Sequence, residues 1–167
     1  MRALIAAALV LGLVSIALVA MVFGGLYMNR APLFEPPGFG VRMGLYLRSN
    51  VAETSSQSVL PELSPLLLRG DPQSALRAVM RAAVELGWHE VTLDEDAGRV
   101  RATVVSSLFR FRDDVRVSVS TQRAGQTEIN VRCASRVGRG DLGANAHHIM
   151  QLRDALRLRG MLQAGES

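Results

Sequence analysis

An uncharged run near the amino terminus constrains this chain more than any other feature. Ala3 to Met28 span 26 residues without a charge. A helix rises about 1.5 Å per residue, so such a run reaches about 39 Å, against a hydrocarbon core of about 30 Å. Leu, Val, Ile and Ala dominate it, and each is cheap to insert. Tyr27 and Arg30 suit the interface at its end. The expectation is a transmembrane anchor over residues 1–30, with the bilayer contacting residues 3–28. A cleaved signal peptide has a shorter apolar core and a small-x-small site. Here Leu18 spoils the site before a cut after Ala20. No second run approaches spanning length, which excludes a multi-span transporter.

Orientation is weakly marked. Arg2 and the terminal amine lie on one side, with Arg30, Arg42 and Arg48 on the other. The charge count does not decide, because long domains translocate largely regardless of charge. The expected address is a bacterial inner membrane, with the amino terminus inside and the domain on the outer, periplasmic side.

Residues 31–71 read as a connector. All six prolines lie between Pro32 and Pro72, and proline marks irregular backbone. The stretch Pro32–Gly40 carries Phe34 and Phe39, suited to the bilayer surface or to packing on the domain. Ser49–Ser58 is polar and without helical period. Leu60, Leu63 and Leu66 to Leu68 favour a strap that packs over a free spacer.

Residues 72–167 read as a two-layer α+β domain. Asp71 caps a helix begun by Pro72, with Leu76, Val79, Met80 and Ala83 at helical spacing and Gly87 beyond its end. The period then switches to two. Val91 and Leu93, then Val100, Ala102 and Val104, then Val115, Val117 and Val119, then Ile129, Val131 and Cys133 mark four strands. A four-stranded antiparallel meander follows, half buried. A second helix starts after Asp141, with Leu142, Asn145, Ile149, Leu152 and Leu156 inward. Arg153, Arg157 and Arg159 suit its carboxyl-terminal dipole.

The last hairpin permits register arithmetic. Opposed residues of an antiparallel pair share a face, so the odd-numbered apolar residues require even pair sums. A loop Arg123-Ala124-Gly125 places glycine at the left-handed position and gives a sum of 248. Val117 then faces Val131, and Asp113 faces Ser135 on the apolar side. Asp114 turns to the other face, near Arg132 and Arg136.

At Ser107–Val115 and Arg132–Asn145 the chain resembles domain-of-unknown-function family 1499. That pattern is a serine, an aromatic pair and Asp-Asp-Val, then Arg-Ser-Ala-Ser-Arg-x-Gly-x-x-Asp-x-Gly-x-Asn, then a helix. Phe109, Phe111, Asp113, Asp114, Arg132, Ser135, Arg136, Gly138, Asp141, Leu142, Gly143, Asn145 and Arg153 carry the resemblance, over about residues 50–156. Cys133 replaces a serine, and Asn50–Thr54 stands where many members begin with Cys-Pro-Asp. The resemblance implies a fold and a site map, and no activity.

Composition removes other classes. Hydrophobicity is high and the formal net charge is only +4, which excludes disorder as the main state. Cys133 is alone, so no disulfide scaffold exists. All 19 basic residues are arginine. Residues 31–167 hold 17 of them against 15 acids, a net of +2. Basicity is therefore local chemistry more than a large field.

Asp113 and Asp114 are adjacent on a strand and face opposite ways, so they do not act together on one bond. Pairing of Asp114 with Arg132 or Arg136, and of Asp113 with Ser135, is the expectation. Ser135 lacks a nucleophile elbow, and Cys133 on the valine face reads as a small buried hydrophobe. Neighbouring His147 and His148 point about 100° apart and suit no shared metal; His148 borders the core and His147 is solvated. The Gly-rich Arg136–Asn145 stretch resembles an anion cradle in outline, but its spacing fits neither phosphate-binding pattern, and turn plus cap fits it better. Arg112, Arg116, Arg132 and Arg136 make a basic sheet face with Asp114 and Glu128.

The reading is a membrane-anchored, non-catalytic binding module of the cell envelope. No cofactor, metal or catalytic residue is expected. The candidate ligand or partner residues are Arg112, Asp113, Asp114, Arg116, Arg132, Ser135, Arg136, Asp141 and Asn145. An acidic protein or anionic headgroups fit that face. Nucleic acid does not, because aromatics are scarce. The alternative is an enzyme with its site at Asp113, Ser135, Arg136 and the Gly138–Asn145 turn.

Overall fold

The computed structural model describes residues 1–106, 110–121 and 125–161. Ser107 and Phe109 of the family-like pattern, and the loop residues Arg123 and Ala124, lie outside the described residues. The protein is α+β, with a sheet of antiparallel strands and a long apolar amino-terminal helix.

Helix α1 runs Arg2–Met28 and α2 runs Phe39–Arg48. Strand β1 is Val51–Glu53, a 3-10 turn covers Pro61–Leu63, and β2 is Leu66–Arg69. Helix α3 spans Pro72–Glu85, followed by strands β3 (His89–Asp94), β4 (Arg99–Val105), β5 (Arg112–Thr121) and β6 (Gln126–Ser135). Helix α4 is Ala144–Leu158.

The last four strands pair antiparallel in chain order. The expected four-stranded sheet is corrected to six strands, in the order β1-β6-β5-β4-β3 with β2 also on β6. β1 pairs with one stretch of β6 and β2 with another, as Ala52↔Cys133 and Leu66↔Ile129. The edge that β6 would otherwise expose is covered, which removes a template for aggregation. The connector is therefore mostly ordered, and it also contains α2, where irregular backbone was expected. Leu60, Leu63, Leu66 and Leu68 are all buried.

The hairpin register holds. Val117 faces Val131, Val119 faces Ile129 and Asp113 faces Ser135. Gly125 has φ +73°, the left-handed conformation the turn asks for. Val100, Val115, Val117, Ile129, Val131 and Cys133 form the inner face. Helix α3 lies against β3–β5, and α4 against β6 and β1. Leu76, Val79 and Ala82 of α3 and Ile149, Leu152 and Leu156 of α4 complete the core.

Capping at α3 follows the sequence reading. Asp71 Oδ1 accepts from Ser74 N at 2.9 Å, and Pro72 opens the helix. Helix α4 begins later than expected, so Leu142 precedes it, at φ +54°. Arg153 is also corrected. It is buried, and its Nη2 donates to Ser64 O at 2.5 Å, fastening the strap to α4 rather than reinforcing a helix dipole.

Candidate functional site

The Asp113 cluster is built by β5, β6 and α4. Parity along β5 turns Asp113 inward, and the register sets it beside Ser135. Asp113 is 3% exposed. Its Oδ2 lies 3.1 Å from His148 Nε2, while His148 Nδ1 lies 3.4 Å from Gln151 Oε1. Asp113 Oδ1 is enclosed without a hydrogen bond of good geometry among the described residues. Burial opposes ionisation of Asp113, but the His148 bond and the neighbouring Ser135 hydroxyl outweigh it and hold the carboxyl below its usual range.

Asn145 links this cluster to β1. It is fully buried, and its Nδ2 donates to Asn50 O at 2.8 Å and Ser135 Oγ at 3.0 Å. Asp141 occupies the amino end of α4. Its carboxylate accepts from Gly143 N at 2.9 Å and Asn145 N at 3.0 Å. Burial raises the Asp141 carboxyl above its usual range, against the backbone bonds that favour the anion. The end of α4 is thus filled by the chain's own carboxylate, as turn plus cap requires.

The Gly-rich turn is also packed over. A Cβ at Gly140 would stand 2.4 Å from Leu47 O. Asp141 N donates to Ser49 O and Leu142 N to Tyr46 O, docking α2 on the turn. Gly143, at φ +82°, lets the backbone enter α4 beside Tyr46 and Ala31. The adjoining groove, about 330 Å³, is lined by Leu45, Tyr46, Leu60, Leu63, Asp141 and their neighbours; Asp113, Ser135 and Arg136 do not line it.

His147 departs from expectation. It is half-buried, and its Nδ1 is enclosed without a partner among the described residues. Burial, then His148 and Arg30, push its imidazole below the usual range. The two histidine rings stand 6.4 Å apart. Among the described residues no three His, Cys, Asp or Glu side chains converge as a metal site would need. Cys133 is fully buried, and desolvation pushes its thiol far up, away from nucleophilic chemistry.

The polar sheet face divides into two parts. In the first, Arg136 Nε and Nη2 hold Asp114 Oδ1 at 3.0 and 2.7 Å. Glu90 accepts from Thr103 Oγ1 at 2.9 Å and from Arg112 Nη1 at 3.1 Å. A register shift between His89 and Thr92 accompanies this placement of Glu90. Arg112 and Arg136 are thereby neutralised. In the second part, Arg116 of β5 lies directly between Arg101 of β4 and Arg132 of β6. Arg132 approaches Glu53 at 3.7 Å. Arg101 belongs to this row although the sequence reading omitted it. The alternation that turns Val100 and Ala102 inward is the signal that turns Arg101 outward.

Sequence reasoning also missed Arg42. It is fully buried and gives Nη1 to Glu62 Oε1 at 2.5 Å and Nη2 to Glu62 Oε2 at 3.0 Å. It also donates to Tyr46 Oη and to the carbonyls of Glu35 and Pro36. No local pattern marks an arginine for the interior; only the docking of α2 on the strap does.

These features define a small two-layer α+β domain with a closed internal polar cluster and an open basic sheet face. The family model described as a protein of unknown function, DUF1499, matches residues 48–156. The chain belongs to that family. No curated protein matches it.

Proposed function

We propose that the protein is a single-span membrane protein displaying a non-catalytic binding module on the outer side of a bacterial inner membrane. The observation that carries the binding reading is a division between the two sheet faces. On the inner face Asp113 pairs with His148, while Asp141 and Asn145 bond Ser135 and backbone groups within the fold. Arg101 and Arg116, on the opposite face, make no ion pair among the described residues. An acidic protein or anionic headgroups would complement them.

Anchoring is supported by length. Val22 and Leu26 pack on the domain, which leaves residues 2–21 of α1, about 30 Å, for the hydrocarbon core.

The test is crosslinking from native membranes, comparing wild type with Arg116→Ala/Arg132→Ala. Loss of specific crosslinks is expected, and identical crosslinks would remove the sheet face from consideration. Carbonate extraction should leave the chain in the membrane. Protease added to intact spheroplasts should digest the domain, and protection would reverse the orientation.

A further inference from the structure

We propose that the row Arg101–Arg116–Arg132 is a binding site for phosphate groups. The proposal rests on the reading of the sheet face as a binding surface and names its ligand chemistry. Three arginines from adjacent strands stand directly opposite one another. Strands lie about 4.8 Å apart, and like charges opposed at that spacing repel. A row selected for stability alone would alternate sign. The adjoining part of the same face pairs opposite charges instead, Asp114 with Arg136 and Glu90 with Arg112.

Among the described residues the row has one ion-pair partner, Glu53 at its end, itself 61% exposed. The surrounding cavity, about 320 Å³, is lined among the described residues by Arg99, Arg101, Arg116 and Arg132 against that glutamate. Ser118 and Asn130 are directly opposed at the next position on this face, where Ser118 offers a neutral hydroxyl and Asn130 Nδ2 donates to Glu128 Oε1 at 2.7 Å. No aromatic among the described residues lines the cavity, so they provide no stacking platform for a base or sugar ring.

The donor set selects phosphate over carboxylate. A guanidinium presents a planar fork that grips two oxygens. A carboxylate offers its two oxygens in one plane and satisfies one fork. A phosphate offers oxygens in tetrahedral directions, so one group spans two forks on adjacent strands. Two linked phosphates span all three arginines. The bearer is either a free phosphorylated ligand or a lipid headgroup.

The experiment uses the full chain in neutral detergent micelles at low ionic strength, titrated calorimetrically with pyrophosphate and with citrate. Pyrophosphate is expected to bind at least about tenfold tighter than citrate. Arg116→Gln should weaken pyrophosphate at least about tenfold, while its ligand-free melting temperature equals or exceeds that of wild type, because a charge between two like charges is gone. Arg139→Gln, in the turn after β6, should bind as wild type does. Arg116→Lys keeps the charge and loses the fork, so it should also bind weakly; this variant decides the matter where Arg116→Gln folds poorly.

Unchanged pyrophosphate affinity in both Arg116 variants overturns the proposal. Equal binding of citrate and pyrophosphate, lost together in the variants, overturns phosphate selectivity and leaves the binding face standing. No anion binding, with unchanged crosslinks in membranes, overturns both. Repeating the titration in phosphatidylglycerol and phosphatidylcholine nanodiscs separates the sources. Competition by the anionic lipid identifies a headgroup, and equal affinity identifies a free ligand; either outcome supports phosphate chemistry.

Discussion

Asp113 illustrates how much a single residue's position decides. One place along β5 separates it from Asp114, and that step sends one carboxylate to the core and the other to a surface pair with Arg136. Removing it strands His148 Nε2, which is 3.1 Å away in a nearly closed site. Asp113→Ala should cost about 1–3 kcal/mol, read from urea unfolding. The pH dependence has a definite sign. The native carboxyl titrates below its unfolded value. Its stabilisation is therefore full above the unfolded value and disappears as pH falls through the native one. The stability gap between wild type and Asp113→Asn should be constant at neutral pH and narrow as pH falls through the ordinary carboxylate range and then through the lower native one. A gap that stays constant would show that the charge at this site is immaterial. Asp141, raised by burial, has the opposite sign and should favour the folded state in acid.

Arg42 is a second residue whose consequence exceeds its sequence signal. Glu62 is 14% exposed and Arg42 satisfies both its oxygens. Arg42→Ala leaves that carboxylate near-buried and unpaired, at a cost of about 3 kcal/mol or more. Arg42→Met with Glu62→Leu removes both charges together and should recover most of the loss in thermal melts. A single variant as stable as wild type would mean that the pair is dispensable.

At the scale of elements, some of this architecture was readable and some was not. The strands β3–β6 alternate cleanly, and the Gly125 turn converts alternation into register, which is why the Asp113–Ser135 and Val117–Val131 pairs were predictable. β1 and β2 have three and four residues, too few to show a period, and Leu66 to Leu68 are apolar throughout. Their partner is determined by the free edge of β6, a property of the assembled sheet. His148 meets Asp113 through the phase of α4, which depends on where Asp141 caps the chain. The row through Arg101 needed the β4–β5 register, and the loop between those strands carries no turn signal that sets it. Gly140 belongs to this scale, because its lack of a Cβ permits α2 to dock on the turn before α4. Gly140→Ala would place a methyl 2.4 Å from Leu47 O. It should destabilise the protein by about 1–3 kcal/mol and raise amide exchange at Leu142, whose N–H bonds Tyr46 O. Wild-type exchange at Leu142 would show that the docking tolerates the added methyl.

At the scale of the whole molecule, α1 and the domain meet through side-chain packing and hydrogen bonds. Leu26 is 1% exposed, and Asn29 Nδ2 donates to Leu142 O at 3.0 Å and toward Asp141 O at 3.4 Å. The proposed anchor therefore ends inside the domain it carries, on the same turn that caps α4. The stacked pair Phe34 and Phe39, centroids 5.9 Å apart and exposed, follows close behind, where an interfacial aromatic is favoured. Under the proposed anchoring, a domain fastened in this way would present its sheet face at a fixed attitude to the membrane. Leu26→Ala with Asn29→Ala tests that coupling, because the change leaves the apolar run of α1 long enough to span. The cavity and the lost bonds should weaken docking by about 2 kcal/mol or more. Membrane partition should stay as in wild type, while hydrogen exchange across residues 141–143 should rise. Because Asp141 would then lose part of its enclosure, its carboxyl should relax toward the usual range. Unchanged exchange at that turn would show that the domain holds its shape independently of the helix, and that its attitude is set elsewhere.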